Sequence, residues 1–521
     1  MRQRNIVASK KSSHGSRSRR KTLFIGKANF FAETLLVEAA RRVLEKTHEV
    51  VFLDGHSPKI KSLLLNRKLS SHQPDKKYAN CTGIRCLPVV WRAFFEGMAA
   101  LFRAGLQSQG RRRKFYEGLL KAEYQGVPVG DCIFNSYLRF FHDTVRVDYA
   151  YLRTFFQVFK NLALWDKVLS EFSHPTLKKI FLIPEPVYHD ESLRRFLLRR
   201  GFTEIRQDPA TGRLTMLKNL PWGPRIMFES FLSRQIKKSR LPKVEKELAA
   251  LVSREKIYEG MNVNGGDINL NVKLQNGPNL SAAAVIFLHA ISDAQYIYGI
   301  SCFLDLHDWL MTTIQISRKQ AIPLIVKCHP SFFNPNLIFP VDQMYLARLR
   351  KLFGIKPEKI PINEISATKV PGVYFVHHTC PPQSLTSKIP RVLFLTHHGS
   401  IATEAAFLGQ NVICSKAGPY PAKVRFVRQY STISEYEYLV QQWKNEKLQV
   451  PKAARRDLVW WAAKRRFNKD YKNHYYYFLL KKFAKKYQTS DPDKVFSQIE
   501  QGCVNQGVKK MVLNELVSKL S

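Results

Sequence analysis

The segment Phe394-Leu-Thr-His-His-Gly-Ser-Ile-Ala-Thr-Glu-Ala-Ala-Phe-Leu-Gly409 reads as an apolar strand, a short polar turn and a helix that stops at glycine. Such a turn leaves the backbone N–H groups of Gly399, Ser400 and Ile401 at a helix N-terminus, where free donors and the helix dipole favour a phosphate. Glu404 falls four residues after Ser400, on the same helix face and within reach of a ribose hydroxyl pair. Taken alone, the commoner explanation is a Ser400 cap with Glu404 on a solvated face. Two further strand ends change that balance. In Val326-Lys-Cys-His-Pro330, Lys327 and His329 alternate to one side and Pro330 ends the ladder, which places a cation and an imidazole at a strand mouth. In Phe287-Leu-His-Ala-Ile-Ser-Asp293, His289, Ser292 and Asp293 stand at a strand exit, and His398 precedes the glycine of the first turn. This exit is poor in glycine and is not a dinucleotide fingerprint.

These ends need a parallel sheet to gather them. Apolar runs at 283–288, 323–328, 373–376, 391–396 and 411–415 alternate with helical patterns starting near Asp305, Val341 and Ser400, the signature of a doubly wound α/β domain. The first half opens the same way, with strand-like Thr22–Gly26, a helical pattern over Ala32–Lys46 and an apolar run over Glu49–Asp54. Further helical patterns cover 91–102, 114–124 and 143–172, a strand is expected over 179–184, and a helix over 191–200 stops at Gly201. The stretch from Gly260 to Asn279 is rich in Gly and Asn, a linker composition. The expected organisation is a disordered basic arm (1–21), an acceptor-side α/β domain (22–259), a linker (260–281) and a nucleotide-binding Rossmann-like domain (282–450). A long helix (451–488), with Phe467, Tyr471, Tyr475, Phe478 and Leu479 on one stripe, and a small helical tail (489–521) follow.

Composition sets the class. A chain of 521 residues with 45% hydrophobic and 12% aromatic residues supports two cores. A formal charge of +42 calls for an anionic partner: phosphorylated substrate, anionic lipid or nucleic acid. Eight cysteines lie without disulfide or zinc spacing, which suits reduced thiols in a cytoplasm. Adjacent histidines on a strand face opposite ways, so His377-His378 and His397-His398 offer one ligand each, and no metal site is expected. The best apolar run, 87–102, is broken by Arg92 and Glu96, so no membrane span is expected.

The strand exit HAISDAQYIYG, the KCHP strand end and the HHGSIATEAAFLG turn, in this order, resemble bacterial capsule and surface-polysaccharide biosynthesis proteins over the second half of the chain. In the first half, Gly130, Asp131 and Arg139 match a glycine-aspartate pair followed by an arginine; Cys328 stands where family members carry proline. The resemblance implies a GT-B-like α/β fold, two Rossmann-like domains facing a cleft. It also implies a metal-independent glycosyltransferase without cofactor, its nucleotide-sugar donor held by the second domain. Lys327, His329 and the amides near Ser400 would then neutralise the leaving phosphate, Gly130 and Arg139 would lie on the acceptor side, and Asp131, with His142 in reserve, would serve as base.

The acceptor expected from the resemblance is a capsular or lipid-linked glycan, which, with the positive charge, favours attachment to the inner face of the cell membrane. Two rival readings exist. A sugar-nucleotide epimerase or polyol-phosphate transferase would use the same fold. A non-catalytic nucleic-acid- or polyanion-binding protein would use the basic arm, Arg111–Lys114 and the tail, though no nucleic-acid recognition motif supports it.

Overall fold

A computed structural model describes residues 20–26, 48–54, 86–170, 176–183, 188–207, 214–217, 241–252, 273–334 and 339–465, with a few single positions between them. The expected basic arm up to residue 19, the polar stretch 57–80, most of the 32–46 helix and the aromatic stripe beyond Arg465 lie outside the described residues.

The first unit is built on β1 (Arg20–Gly26), where five consecutive buried residues, 22–26, mark a strand covered on both faces. Its sheet also holds β2 (His48–Asp54), β5 (Lys178–Leu182), β6 (Thr203–Gln207) and β7 (Leu214–Leu217), in the order β2-β1-β5-β6-β7. All pairs are parallel except β6 with β7.

Between β2 and β5 the chain inserts a helical layer: α1 (Cys86–Ser108), α2 (Arg112–Leu120), a short ladder of β3 (Glu123–Tyr124) with β4 (Val127–Pro128), α3 (Gly130–Phe140) and α4 (Tyr149–Ser170). α5 (His189–Arg199) joins β5 to β6. Tyr124, Phe134, Tyr137, Tyr151, Phe155 and Phe159 fill this layer's core, each fully or almost fully buried, and each stabilises the layer by about 2–3 kcal/mol of apolar transfer.

The second unit carries seven strands: β8 (Ala282–Phe287), β9 (Leu324–Lys327), β10 (Ile365–Ala367), β11 (Val373–Val376), β12 (Arg391–Thr396), β13 (Asn411–Ser415) and β14 (Arg428–Tyr430). Their order is β10-β11-β9-β8-β12-β13-β14, with only the β10 edge antiparallel. Leaving β10 aside, this is the 3-2-1-4-5-6 order of a Rossmann sheet, with β8 as strand 1 and β12 as strand 4. The chain is therefore α/β with two Rossmann-like units, as the alternation of patterns suggested. Connecting helices are α7 (Leu306–Lys319), α8 (Pro340–Phe353), α9 (Pro382–Lys388), α10 (Ile401–Phe407) and α11 (Ile433–Lys444).

Helix α6 (Leu241–Val252) precedes the expected linker, yet its Val244 and Leu248 pack with Ala283, Val285, Phe394 and Ala402 in the core of the second unit. The terminal helix α12 (Ala454–Arg465) adds Leu458, Trp461 and Ala462 to that same core. Nothing in the periodicity of 241–252 says which sheet its apolar face will cover.

Candidate functional site

In a sheet of order 3-2-1-4-5-6, the loops leaving strands 1 and 4 run to opposite faces and open a crevice at the carboxyl edge. Here those strands are β8 and β12, and their exits carry His289 and His397-His398-Gly399-Ser400. The two exits are locked together. Gly399 N–H donates to Thr396 Oγ1 at 3.0 Å, and that hydroxyl lies 3.1 Å from His289 Nε2. His398 N–H also points at His289 Nε2, at 3.4 Å. Because His398 N–H donates to His289 Nε2, that nitrogen is an acceptor, so Thr396 donates its hydroxyl proton to it and the His289 proton sits on Nδ1. The His289 and His398 rings stack at 4.1 Å, and Tyr420 donates its hydroxyl to the Gly399 carbonyl at 2.7 Å.

This packing explains why residue 399 is glycine. A Cβ there would lie 2.7 Å from Thr396 Oγ1 and 2.9 Å from His289 Cε1. The amides of Gly399 and His398 are consumed in holding the turn, but those of Ser400 and Ile401 carry no partner among the described residues. Ser400 is exposed and in helical conformation, with no side-chain cap bond, so capping does not use it. Of the three expected amide donors, two are therefore free to meet a ligand. Glu404 is buried on the seven-residue α10.

The imidazoles are neutral. Burial drives the His289 and His397 pKa values well below the ordinary histidine range, with neighbouring histidines adding to the effect. His398 falls to about 4 through burial and then His329, and His329 falls to about 4 through burial and then Lys327. His397 and His398 meet Nδ1 to Nδ1 at 2.8 Å, so one nitrogen donates and the other accepts. His329 Nδ1 accepts from Ser331 N–H at 3.2 Å and faces Ser331 Oγ at 2.7 Å, leaving its proton on Nε2. Among the described residues no group of three or more histidines, cysteines or carboxylates is set to hold a metal ion.

Lys327 departs from expectation. It is buried, its ammonium donates to the His378 carbonyl at 2.6 Å and lies 5.3 Å from the Phe287 ring centre. It braces the end of β11 and acts on His329 through its charge. Ser292 is also committed: its N–H and hydroxyl donate to Asp342 at 3.1 and 2.8 Å, tying the β8 exit to α8. Asp293 beside it is exposed, yet flanking protein strips enough hydration that burial, then Asp342, raise its carboxyl pKa, with Arg139 opposing.

Of the first-half candidates, only Arg139 reaches this edge. Its guanidinium lies 4.5 and 4.4 Å from the Tyr188 and Phe339 ring centres, donates to the Ser292 carbonyl at 3.0 Å and also bonds the Tyr188 hydroxyl. Gly130 is structural: a Cβ there would lie 2.0 Å from the Leu119 carbonyl oxygen, so the start of α3 packs against the end of α2.

Asp131, the expected base, is already paired. Both of its oxygens are taken by Arg195, at 2.7 and 2.8 Å, and the pair is buried, so this carboxylate holds α3 to α5 and is not placed to receive a substrate proton. His142 is buried with Nδ1 3.2 Å from Asp143, and burial and Arg146 lower its pKa.

Asp143 in turn takes two hydrogen bonds from Arg348 of α8, at 2.6 and 2.9 Å, a link between the two units. Sequence reasoning missed this bond, as it missed Asn135 accepting from Tyr296 N–H at 3.0 Å and Asp305 accepting from Val145 N–H at 2.6 Å. All three join residues more than 150 positions apart.

No family model and no curated protein matches the chain. Among solved structures, it is similar to Thermosulfurimonas dismutans KpsC, a beta Kdo 2,4 transferase, at 13% identity over 58% of this chain and 88% of that one, with a TM-score of 0.33. A Methanocaldococcus jannaschii UDP-GlcNAc 2-epimerase matches at 11% identity over 84% of this chain and 97% of that one, with a TM-score of 0.25. The glycotransferase of kitacinnamycin matches at 11% identity over 90% of this chain and 99% of that one, with a TM-score of 0.22. Likenesses this distant say nothing of what the chain binds or does.

Proposed function

We propose that the chain is a glycosyltransferase that moves a sugar from a nucleotide-sugar donor, held at the β8–β12 edge of the second unit, to a glycan acceptor of a surface polysaccharide, capsular or lipid-linked. The observation that carries this reading is the crevice itself. A Rossmann strand order places its switch point where two unpartnered amides, a forced glycine and a set of neutral histidines come together. The Ser400 and Ile401 amides would donate to one phosphate oxygen of the donor, and His398 and His329, as neutral imidazoles, would each offer an N–H to the others.

As the bond from the anomeric carbon to the phosphate oxygen breaks, the electron pair leaves with the nucleotide. The acceptor hydroxyl oxygen forms the new bond to that carbon and surrenders its proton. Asp293 is the carboxylate we assign to take it: it is exposed at the crevice and its pKa is raised, which strengthens it as a base. Arg139, which bonds the adjacent Ser292 carbonyl, keeps that loop in place from the first unit.

The test is release of free nucleotide from a panel of sugar nucleotides, with and without glycan acceptors. Acceptor-dependent release, reduced at least about a hundredfold in Asp293→Asn while stability is retained, is the expected result. A donor sugar altered without acceptor would identify an epimerase on this fold instead.

A further inference from the structure

Helix α1 is built inside out. Its inward face consists of Ala93, Gly97, Ala100 and Ala104, all buried against the helical layer of the first unit. The approach is close enough to demand small residues: a Cβ at Gly97 would lie 2.8 Å from the Phe156 ring, and one at Gly118 of α2 would lie 3.1 Å from Ala104. Val89, Phe94 and Leu101 lean against the same layer, but the other large apolar residues face the other way. Trp91, Phe95, Met98, Phe102 and Leu106 recur at helical spacing along the outer face and are 52, 64, 44, 67 and 64% exposed. A helix that only had to cover its own core would turn these side chains inward; a continuous outward stripe of aromatic and long aliphatic residues marks a surface that is covered by something else.

The charges beside the stripe say what covers it. Arg103 on α1, Arg111 in the turn after it, and Arg112 and Lys114 in the first turn of α2 have no carboxylate partner among the described residues. Glu96, the acidic residue of α1, is engaged by Arg92 at 3.0 Å. A second copy meeting this face through its own equivalent would bring cations against cations, whereas a bilayer carrying anionic headgroups accepts both the apolar stripe and the cations. No described helix is long and apolar enough to cross a membrane, which leaves the orientation along the surface. We infer that α1 is an in-plane anchor that seats the first unit on an anionic lipid surface, its aromatic stripe entering the boundary of headgroups and acyl chains and its arginines meeting lipid phosphates. This does not depend on the sugar-transfer reading.

The experiment is co-sedimentation of the full chain with phosphatidylcholine vesicles, with and without phosphatidylglycerol, for the unaltered protein, Phe95→Ser/Phe102→Ser, Arg103→Glu/Lys114→Glu, and Tyr438→Ser as a distant exposed control. Salt-sensitive binding to the anionic vesicles is expected, weakened about tenfold or more in both double variants, with folding intact and the control unchanged. Brominated lipid should quench emission that is missing in Trp91→Phe. The inference is overturned if Phe95→Ser/Phe102→Ser binds anionic vesicles as well as the unaltered chain does, or if the unaltered chain binds no vesicles. It is equally overturned if the protein is a dimer that this variant dissociates, since a second copy would then own the face.

Discussion

Gly399→Ala is the smallest change that reaches the centre of the proposed donor site. The added methyl would stand 2.7 Å from Thr396 Oγ1 and 2.9 Å from His289 Cε1, and neither atom is the free end of a flexible chain. Thr396 Oγ1 is held between Gly399 N–H and His289 Nε2, and the His289 ring is stacked on His398 at 4.1 Å. Relief therefore requires the turn to move as a unit. Overpacking of a fitted site costs about 1–3 kcal/mol, and losing the Gly399–Thr396 hydrogen bond about 1 kcal/mol more. The same displacement carries the Ser400 and Ile401 amides away from a bound phosphate. Urea unfolding should show a lowered midpoint with an unchanged slope, and calorimetry should show loss of nucleotide binding. Gly105→Ala supplies the contrast: its Cβ meets nothing within 4 Å in the exposed helix α1, and it should stabilise by up to about 1 kcal/mol. A Gly399→Ala protein as stable as the parent and binding nucleotide equally well would refute the packing argument. Lower stability with intact binding would show that the turn does not hold the phosphate.

Two further outcomes follow from buried charge. Asp131→Asn leaves the Arg195 guanidinium short of its main partner inside the first unit and should destabilise by about 3 kcal/mol; a fully stable but inactive variant would instead restore Asp131 as the base. Stability should also fall with acid. His329 and His398 are held at about 4 in the folded chain, so as pH drops below about 6.5 the unfolded chain protonates first and stability is lost down to about pH 4. At pH 5 each ring costs at most about 2 kcal/mol, since both keep some surface in contact with water. Asp305, raised to about 6 by burial, works in the opposite sense as it protonates. Denaturant midpoints measured from pH 8 to pH 5 would decide it, and a flat profile would contradict the neutral cluster.

Much of the second unit was legible because buried parallel strands announce themselves: the apolar runs at 283–288, 391–396 and 411–415 meet the observed β8, β12 and β13 to within a residue. Edge strands β10 and β14, three residues each, are too short to carry a pattern and were missed. The segment around Gly130 and Asp131 was read for its chemistry rather than its conformation, and it is a helix whose first residues are packed against α2. Asp131 misled for a physical reason. A carboxylate beside a glycine looks the same in sequence whether it awaits a substrate or is clamped, and the clamp, Arg195, lies 64 positions away. The same blindness hid Asp143–Arg348 and the retreat of Lys327 beneath His378. Histidine protonation was equally out of reach, because burial sets it and burial is a property of the assembled crevice.

The most direct measurement is binding of CMP-, CDP-, UDP- and GDP-linked compounds to the full chain by thermal shift, alongside Ser400→Trp, whose indole would fill the space before the free amides. Stabilisation by one nucleotide class, abolished in Ser400→Trp without loss of folding, is the expected result. A chain that no compound stabilises, or that binds as well with tryptophan at this position, would contradict the assignment of the β8–β12 crevice as a donor site.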